Sequence, residues 1–135
     1  MIVLDASAAV ELLVGTRLGE RVAARIGDPA TSLHAPHLVD LEVAQTLRRY
    51  LASGTLEPDR ARRALEALGQ LDLTRYPHDA LLPRIWALRA NLTAYDAAYV
   101  ALAEALGGSL LTCDSKLARA AEAAATARIE TVSGK

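Results

Sequence analysis

The chain has 135 residues, 52% of them hydrophobic, with only 4% aromatic and no Phe. This is the length of one domain with enough aliphatic side chains for a core, which excludes a disordered chain. A formal net charge of −1 excludes bulk attraction to nucleic acid, and the single cysteine, Cys113, excludes an intrachain disulfide and fits a reducing compartment.

Ile2 to Leu4 predict a buried strand that ends at Asp5. Ser7 to Val14 predict a short helix stopped by Gly15, and Thr16 to Ile26 a second one, with Leu18, Val22 and Ile26 on its apolar stripe. Ser32 to Ala35 predict a strand. Pro36 then opens a helix to about Ser53, and Pro58 opens another to about Leu68, stopped by Gly69. Leu71 to Tyr76 alternate as a strand does. His78 to Ala90 predict a helix, in which Pro83 belongs at a first turn. Thr93 to Leu106 predict a helix stopped by Gly107 and Gly108. Ser109 to Cys113 follow as a strand, Ser115 to Ala125 as a helix and Arg128 to Val132 as a last strand. The β-α alternation predicts an α/β domain over residues 1–135, with a mainly parallel sheet covered on both faces. No basic segment precedes the first apolar run, and no apolar stretch approaches the roughly 20 residues of a membrane helix. A soluble, cytoplasmic protein is expected.

Four acids fall where such a fold gathers strand ends and helix starts. Asp5 and Asp114 each end an apolar run, and Glu42 and Asp96 lie near the starts of two helices. Each has a structural explanation of its own. Asp5 and Asp114 suit helix N-caps, and Thr93-x-x-Asp96 suits a capping box. Glu42 is harder to explain, because its helical neighbours Leu38, Val39, Gln45 and Thr46 include no cation. Asp40, in the first helical turn, takes a structural role beside the helix dipole. Four carboxylates on one sheet edge repel one another unless cations hold them, which points to a hard divalent metal and phosphodiester chemistry. Ser7 and Thr112, each two residues from an acid, suit the orientation of a carboxylate or a water. The arginines are expected on solvated faces, with pairs such as Arg48 and Arg49 able to touch phosphates. His34, His37 and His78 lack ligand spacing and are expected at the surface or in loops, and Cys113 is expected to be a small buried hydrophobe.

Four segments together resemble the PIN-domain nucleases, specifically the VapC toxins of type II toxin–antitoxin pairs. The opening Met1-Ile-Val-Leu-Asp5-Ala-Ser7 resembles the family's strand and Asp-x-Ser. Pro36 to Arg49 resembles its Pro-led helix with Glu42. Leu92-Thr-Ala-Tyr-Asp96-Ala-Ala-Tyr is similar to its third-acid segment, and Thr112-Cys-Asp114 to its closing Thr-x-Asp. Ser115 stands where the family often has a basic residue. The resemblance covers essentially the whole chain. It implies a three-layer α/β/α domain and a magnesium- or manganese-dependent endoribonuclease that cuts structured RNA such as tRNA or rRNA. It also implies a homodimer, or a higher assembly with a cognate VapB-type antitoxin. Asp5 and Asp96 are then the primary metal ligands, and Glu42 and Asp114 complete the site directly or through water. An antitoxin segment is expected over the first two helices together with Leu38, Leu41 and Leu47, with a basic residue reaching the acids. Other readings are a non-toxin PIN nuclease of RNA processing and a receiver-like metal-binding module. The latter would want adjacent acids where this chain has Asp5-Ala6. An Asp-x-Asp phosphotransferase would want an acid where it has Ser7.

Overall fold

The computed structural model describes residues 1–134. Five short strands, β1 (Ile2–Leu4), β2 (Leu33–Pro36), β3 (Leu73–Tyr76), β4 (Ser109–Thr112) and β5 (Arg128–Thr131), form one sheet in the order β3-β2-β1-β4-β5. Every neighbouring pair is parallel. Parallel strands are covered on both faces, so they read as continuous apolar runs, and Ile2, Val3, Leu4, Leu110 and Leu111 are all buried.

The chain steps from β1 outward to β3, then crosses back to β4 on the far side of β1. Right-handed crossovers therefore put the helices of the first half on one face and those of the second half on the other. The first layer holds α1 (Ala6–Val14), α2 (Arg17–Ile26), α3 (Leu38–Ala52) and α4 (Pro58–Gln70), with α1 touching the other three. The second holds α5 (Leu82–Ala87), α6 (Ala94–Leu106) and α7 (Ser115–Ala124). Residues Ala97 to Ala103 of α6 are buried without interruption, and α6 packs on β1, β2 and β4. A helix that is apolar all round is one the fold encloses. Among the described residues no helix is long and apolar enough to cross a membrane.

Several predicted boundaries shift, for physical reasons. Pro36 ends β2 instead of opening the next helix, pairing with Tyr76 while the His37 N–H donates to the Tyr76 carbonyl at 2.8 Å. Amide directions alternate along a strand, so the missing N–H of Pro36 falls on the β1 side, beyond the last β1–β2 pair. Gly69 does not stop α4, which runs to Gln70. The predicted helix over 78–90 is a 3₁₀ turn, Asp79–Leu81, followed by α5, whose first turn contains Pro83. His34 is buried rather than at the surface. Its ring nitrogens lie 2.7 Å from the Tyr76 hydroxyl and 2.8 Å from Ser32 Oγ, so both are satisfied inside the sheet. Leu47, expected on the antitoxin surface, belongs to the core, whereas Leu41 is 76% exposed.

Asp40 takes the structural role expected of it. Arg75 Nε and a terminal guanidinium nitrogen both donate to it, at 2.8 to 3.0 Å, tying α3 to β3. On the other face Arg84 grips Glu104 at 2.7 and 3.0 Å, and the Thr126 amide and hydroxyl also donate to Glu104.

The join of α1 to α2 depends on one glycine. Thr16 caps α2 by accepting from the Gly19 amide at 3.0 Å and donates its own proton to the Glu11 carboxylate. A Cβ on Gly19 would lie inside the van der Waals envelope of the Glu11 carbonyl, whose backbone cannot yield without moving α1. Gly19→Ala should therefore destabilise the fold by about 1 to 3 kcal/mol, the usual cost of overpacking, despite alanine's better helix propensity. A lower urea midpoint with an unchanged slope is the expected result; an unchanged or higher midpoint would show that the helices part freely.

Candidate active site

In an open α/β sheet the crevice lies beyond the carboxyl ends of the strands, where the strand order reverses. Here that point is between β1 and β4, and the next residues along the chain are Asp5 after β1 and Cys113-Asp114 after β4. Strand β2 ends nearby and delivers α3 with Glu42. Helix α6 crosses beneath and brings Asp96 in its first turn.

Asp5 is 4% exposed and anchors the site. Its Oδ1 accepts from the Ala8 amide at 2.9 Å, which caps α1, and from the Ser7 hydroxyl at 2.7 Å. Its Oδ2 accepts from the Thr112 hydroxyl at 2.6 Å. Ser7 Oγ in turn accepts from the Cys113 amide at 3.0 Å, and Thr112 Oγ1 from the Asp114 amide at 2.9 Å. Each hydroxyl has one proton, and both protons go to Asp5. The 3.2 Å approach of Ser7 Oγ to Thr112 Oγ1 is then a contact between acceptors, not a further hydrogen bond. A carboxylate has about four acceptor sites. Among the described residues three are filled, and the fourth, on Oδ2, has no partner.

Asp114 caps α7, with one oxygen accepting from the Lys116 and Leu117 amides. Thr93 caps α6 by accepting from the Asp96 amide at 3.1 Å. The capping explanations and the shared edge thus hold together. Glu42 accepts from the Tyr99 hydroxyl at 2.6 Å through Oε1. Tyr99 closes the third-acid segment, but nothing in the sequence marks its hydroxyl as a partner of Glu42. It lies one helical turn after Asp96 in an apolar run, and only the fold brings it to Glu42, 57 residues away.

Burial pushes the Asp5 carboxyl up to about 6, against the three hydrogen bonds that favour its charged form, and the Asp114 charge adds to the rise. Burial and then the Asp114 charge raise Asp96. Burial raises Glu42, opposed by the Tyr99 hydrogen bond and reinforced by the Asp96 charge. Burial and Glu42 raise the Tyr99 phenol, which stays a proton donor. The four acids therefore feel one another in series: Asp5, Asp114, Asp96, Glu42. None of them is in an ion pair among the described residues. Half-buried Cys113 is pushed up to about 12 by burial and by the nearby Asp5 and Glu11 charges, so it is an inert thiol.

An all-oxygen donor set with excess negative charge suits a hard divalent cation. Among the described residues no three Asp, Glu, His or Cys side chains are grouped tightly enough to hold an ion unaided. The acids line an edge instead of converging on a point, which fits an ion that keeps several waters. A cleft of about 350 Å³ adjoins the edge, lined by Ala6, Leu38, Leu41, Glu42, Arg49 and Tyr95 among others. Of the four acids only Glu42 lines it; Ala6 and Tyr95 are the chain neighbours of Asp5 and Asp96.

A family profile described as the PIN domain matches residues 2–123. Ribonuclease VapC9 of Mycobacterium tuberculosis is 47% identical over 123 residues, covering 91% of this chain and 93% of the relative. Ribonuclease VapC1 of the same species is 46% identical over 119 residues, covering 87% and 89%. Among solved structures, PAE2754 from Pyrobaculum aerophilum superposes with a TM-score of 0.69 at 25% identity, over 96% of this chain and 82% of that one. The M. tuberculosis toxin VapC20, described as cleaving the sarcin-ricin loop, superposes with a TM-score of 0.67 at 15% identity, over 89% and 95%. The five-stranded parallel sheet, the acids at its switch point and these likenesses agree: the chain belongs to the PIN-domain family, among its VapC ribonucleases.

Proposed function

We propose that this protein is a divalent-metal-dependent endoribonuclease, the toxin of a VapBC-type pair, which hydrolyses phosphodiester bonds in structured RNA such as tRNA or rRNA. The observation that carries this reading is the row of four mutually repelling carboxylates, Asp5, Asp114, Asp96 and Glu42, with no ion-pair partner among the described residues. The kinship with VapC ribonucleases supplies the substrate class. Magnesium is the proposed ion, with manganese as its substitute.

Asp5 and Asp96 are assigned as the principal ligands, with Glu42 and Asp114 completing the set directly or through water. When bound, the cation neutralises charge at the scissile phosphate and makes water a better nucleophile. Ser7 and Thr112 fix the Asp5 carboxylate so that only one acceptor site of Oδ2 remains to be filled. Arg49, in the cleft beside Glu42, offers a cation to an adjacent RNA phosphate. A cognate VapB-type antitoxin would cover the cleft, where Leu41 is open, and bring a basic side chain to the acids. The functional unit is proposed to be a homodimer, alone or within the antitoxin complex.

Replacing either principal ligand by its isostere tests the assignment. An asparagine at position 5 keeps the network if its amide donates to Thr112 and Thr112 donates on to Ser7 across the existing 3.2 Å contact. Asp5→Asn and Asp96→Asn should each remove RNA cleavage while far-UV circular dichroism is unchanged. Manganese should raise the melting temperature of the wild type but not of the double variant, because an ion that binds only the folded site stabilises it. Wild-type cleavage by both single variants at saturating magnesium would refute the assignment.

The pH dependence of the metal-free protein has a definite sign. The folded-state value of Asp5 lies near 6 against an ordinary 3.8, so the folded protein holds its proton more tightly than the unfolded chain. Stability from this group is present at low pH and lost as pH rises through about 6. Every tenfold tightening of proton binding amounts to roughly 1.4 kcal/mol, so in chelator the wild type should gain about 2 to 3 kcal/mol relative to Asp5→Asn between pH 7 and pH 4. Parallel stability curves for the two proteins would contradict the buried-charge account.

Antagonism between ion and antitoxin follows from a shared pocket. Raising manganese should weaken binding of an antitoxin peptide, and the peptide should weaken manganese by the same factor. Peptide affinity independent of manganese, read by fluorescence anisotropy, would separate the two sites.

A further inference from the structure

Tyr99 is 1% exposed and ranks with the core by burial, yet its polar end lies at the acidic edge. A buried phenol must place its proton on an acceptor. Asp5, Glu42 and Asp96 all bear on this hydroxyl electrostatically, and its one proton goes to Glu42 Oε1 at 2.6 Å. Among the described residues Oε2 of the same carboxylate has no hydrogen-bond partner, and it is not sealed from solvent.

A glutamate on a helix surface has several rotatable bonds and loses that freedom only when something holds its end. Nothing on α3 does so: Thr46 donates to the Glu42 backbone carbonyl, at 3.0 Å, and not to the carboxylate. The holding group comes from α6, one turn from Asp96, so one helix both supplies an acid and fixes the acid of its neighbour.

We propose that Tyr99 is the positioning residue of the acidic edge: its hydroxyl fixes Glu42 through Oε1, leaves Oε2 to face the cation, and sets the separation of the α3 and α6 carboxylates. This inference rests on the divalent-cation reading. Its consequence is that removing one buried oxygen, which touches no ion, weakens ion binding.

The test is manganese affinity by titration calorimetry on the full chain, with Tyr99→Phe, Glu42→Gln, their combination, Glu42→Asp and Asp5→Asn. Tyr99→Phe should weaken manganese on the order of tenfold, the usual scale for losing a partner of a ligand, while the metal-free protein stays folded. Glu42→Asp keeps the charge but withdraws it from the tyrosine, and should lose affinity to a similar extent. It carries the test if Tyr99→Phe fails to fold. The combined Tyr99→Phe/Glu42→Gln variant should be no weaker than Glu42→Gln alone, because the tyrosine acts only through the glutamate. A purely structural tyrosine would instead lower the melting temperature and leave manganese affinity per folded molecule unchanged, which overturns the proposal. An equal loss in the Glu42→Gln background overturns it too. Loss in Asp5→Asn without loss in Tyr99→Phe removes the positioning role and leaves the metal site standing; wild-type affinity in Asp5→Asn removes both.

Discussion

Like-charge crowding at the switch point of the sheet is the constraint around which this molecule is arranged. Carboxylates that repel one another are normally dispersed or paired with arginine. Here arginines pair with other acids: Arg75 with Asp40, Arg84 with Glu104 and Arg25 with Glu130. Three of the four acids of the edge receive neutral donors instead. Asp5 has two hydroxyls and an amide, Glu42 a phenol, and Asp114 two amides. Neutral donors orient an acid without cancelling its charge, so the edge keeps its negative potential.

The fold gives each acid two tasks. Asp5 and Asp114 cap helices while facing the crevice, and the amides they bind are the ones that α1 and α7 leave free. The site is therefore tied to the middle of the sheet, where β1 is hydrogen-bonded on both sides. The Ser7–Asp5–Thr112 network bridges β1 and β4, with Asp5 and Thr112 107 positions apart in the chain, so orienting the Asp5 carboxylate and closing the switch point are one interaction.

Much of this is legible in the sequence because it rests on local chemistry. An acid at the end of an apolar run, followed by a helix, places Asp5 and Asp114 at strand ends as helix caps whatever the rest of the chain does. Glu42 stands out because its helical neighbours cannot pair with it. Asp40 reads as structural from its place in the first turn, though Arg75, its partner 35 residues away, carries no signal for it. Tyr99 and His34 are not legible as polar participants. The sequence shows Tyr99 only as part of an apolar helical run and suggests a surface or loop place for His34, and the Glu42 and Tyr76 groups that meet them are 57 and 42 residues distant. Pro36 misleads for a related reason: proline favours a helix's first turn, but it equally suits a strand end whose N–H faces no neighbour, and only the strand order decides between them.

On the proposed function, these four carboxylates are left unpaired in order to hold a divalent cation. Anomalous diffraction at the manganese edge, from crystals of the wild-type chain grown with manganese, tests it most directly. A peak is expected at the β1–β4 crevice, in contact with carboxylate oxygens of both Asp5 and Asp96, with waters filling the positions that Glu42 and Asp114 do not take directly. A crevice without a peak at saturating manganese, or an ion bound only at acids elsewhere such as Asp28 or Asp72, would contradict it.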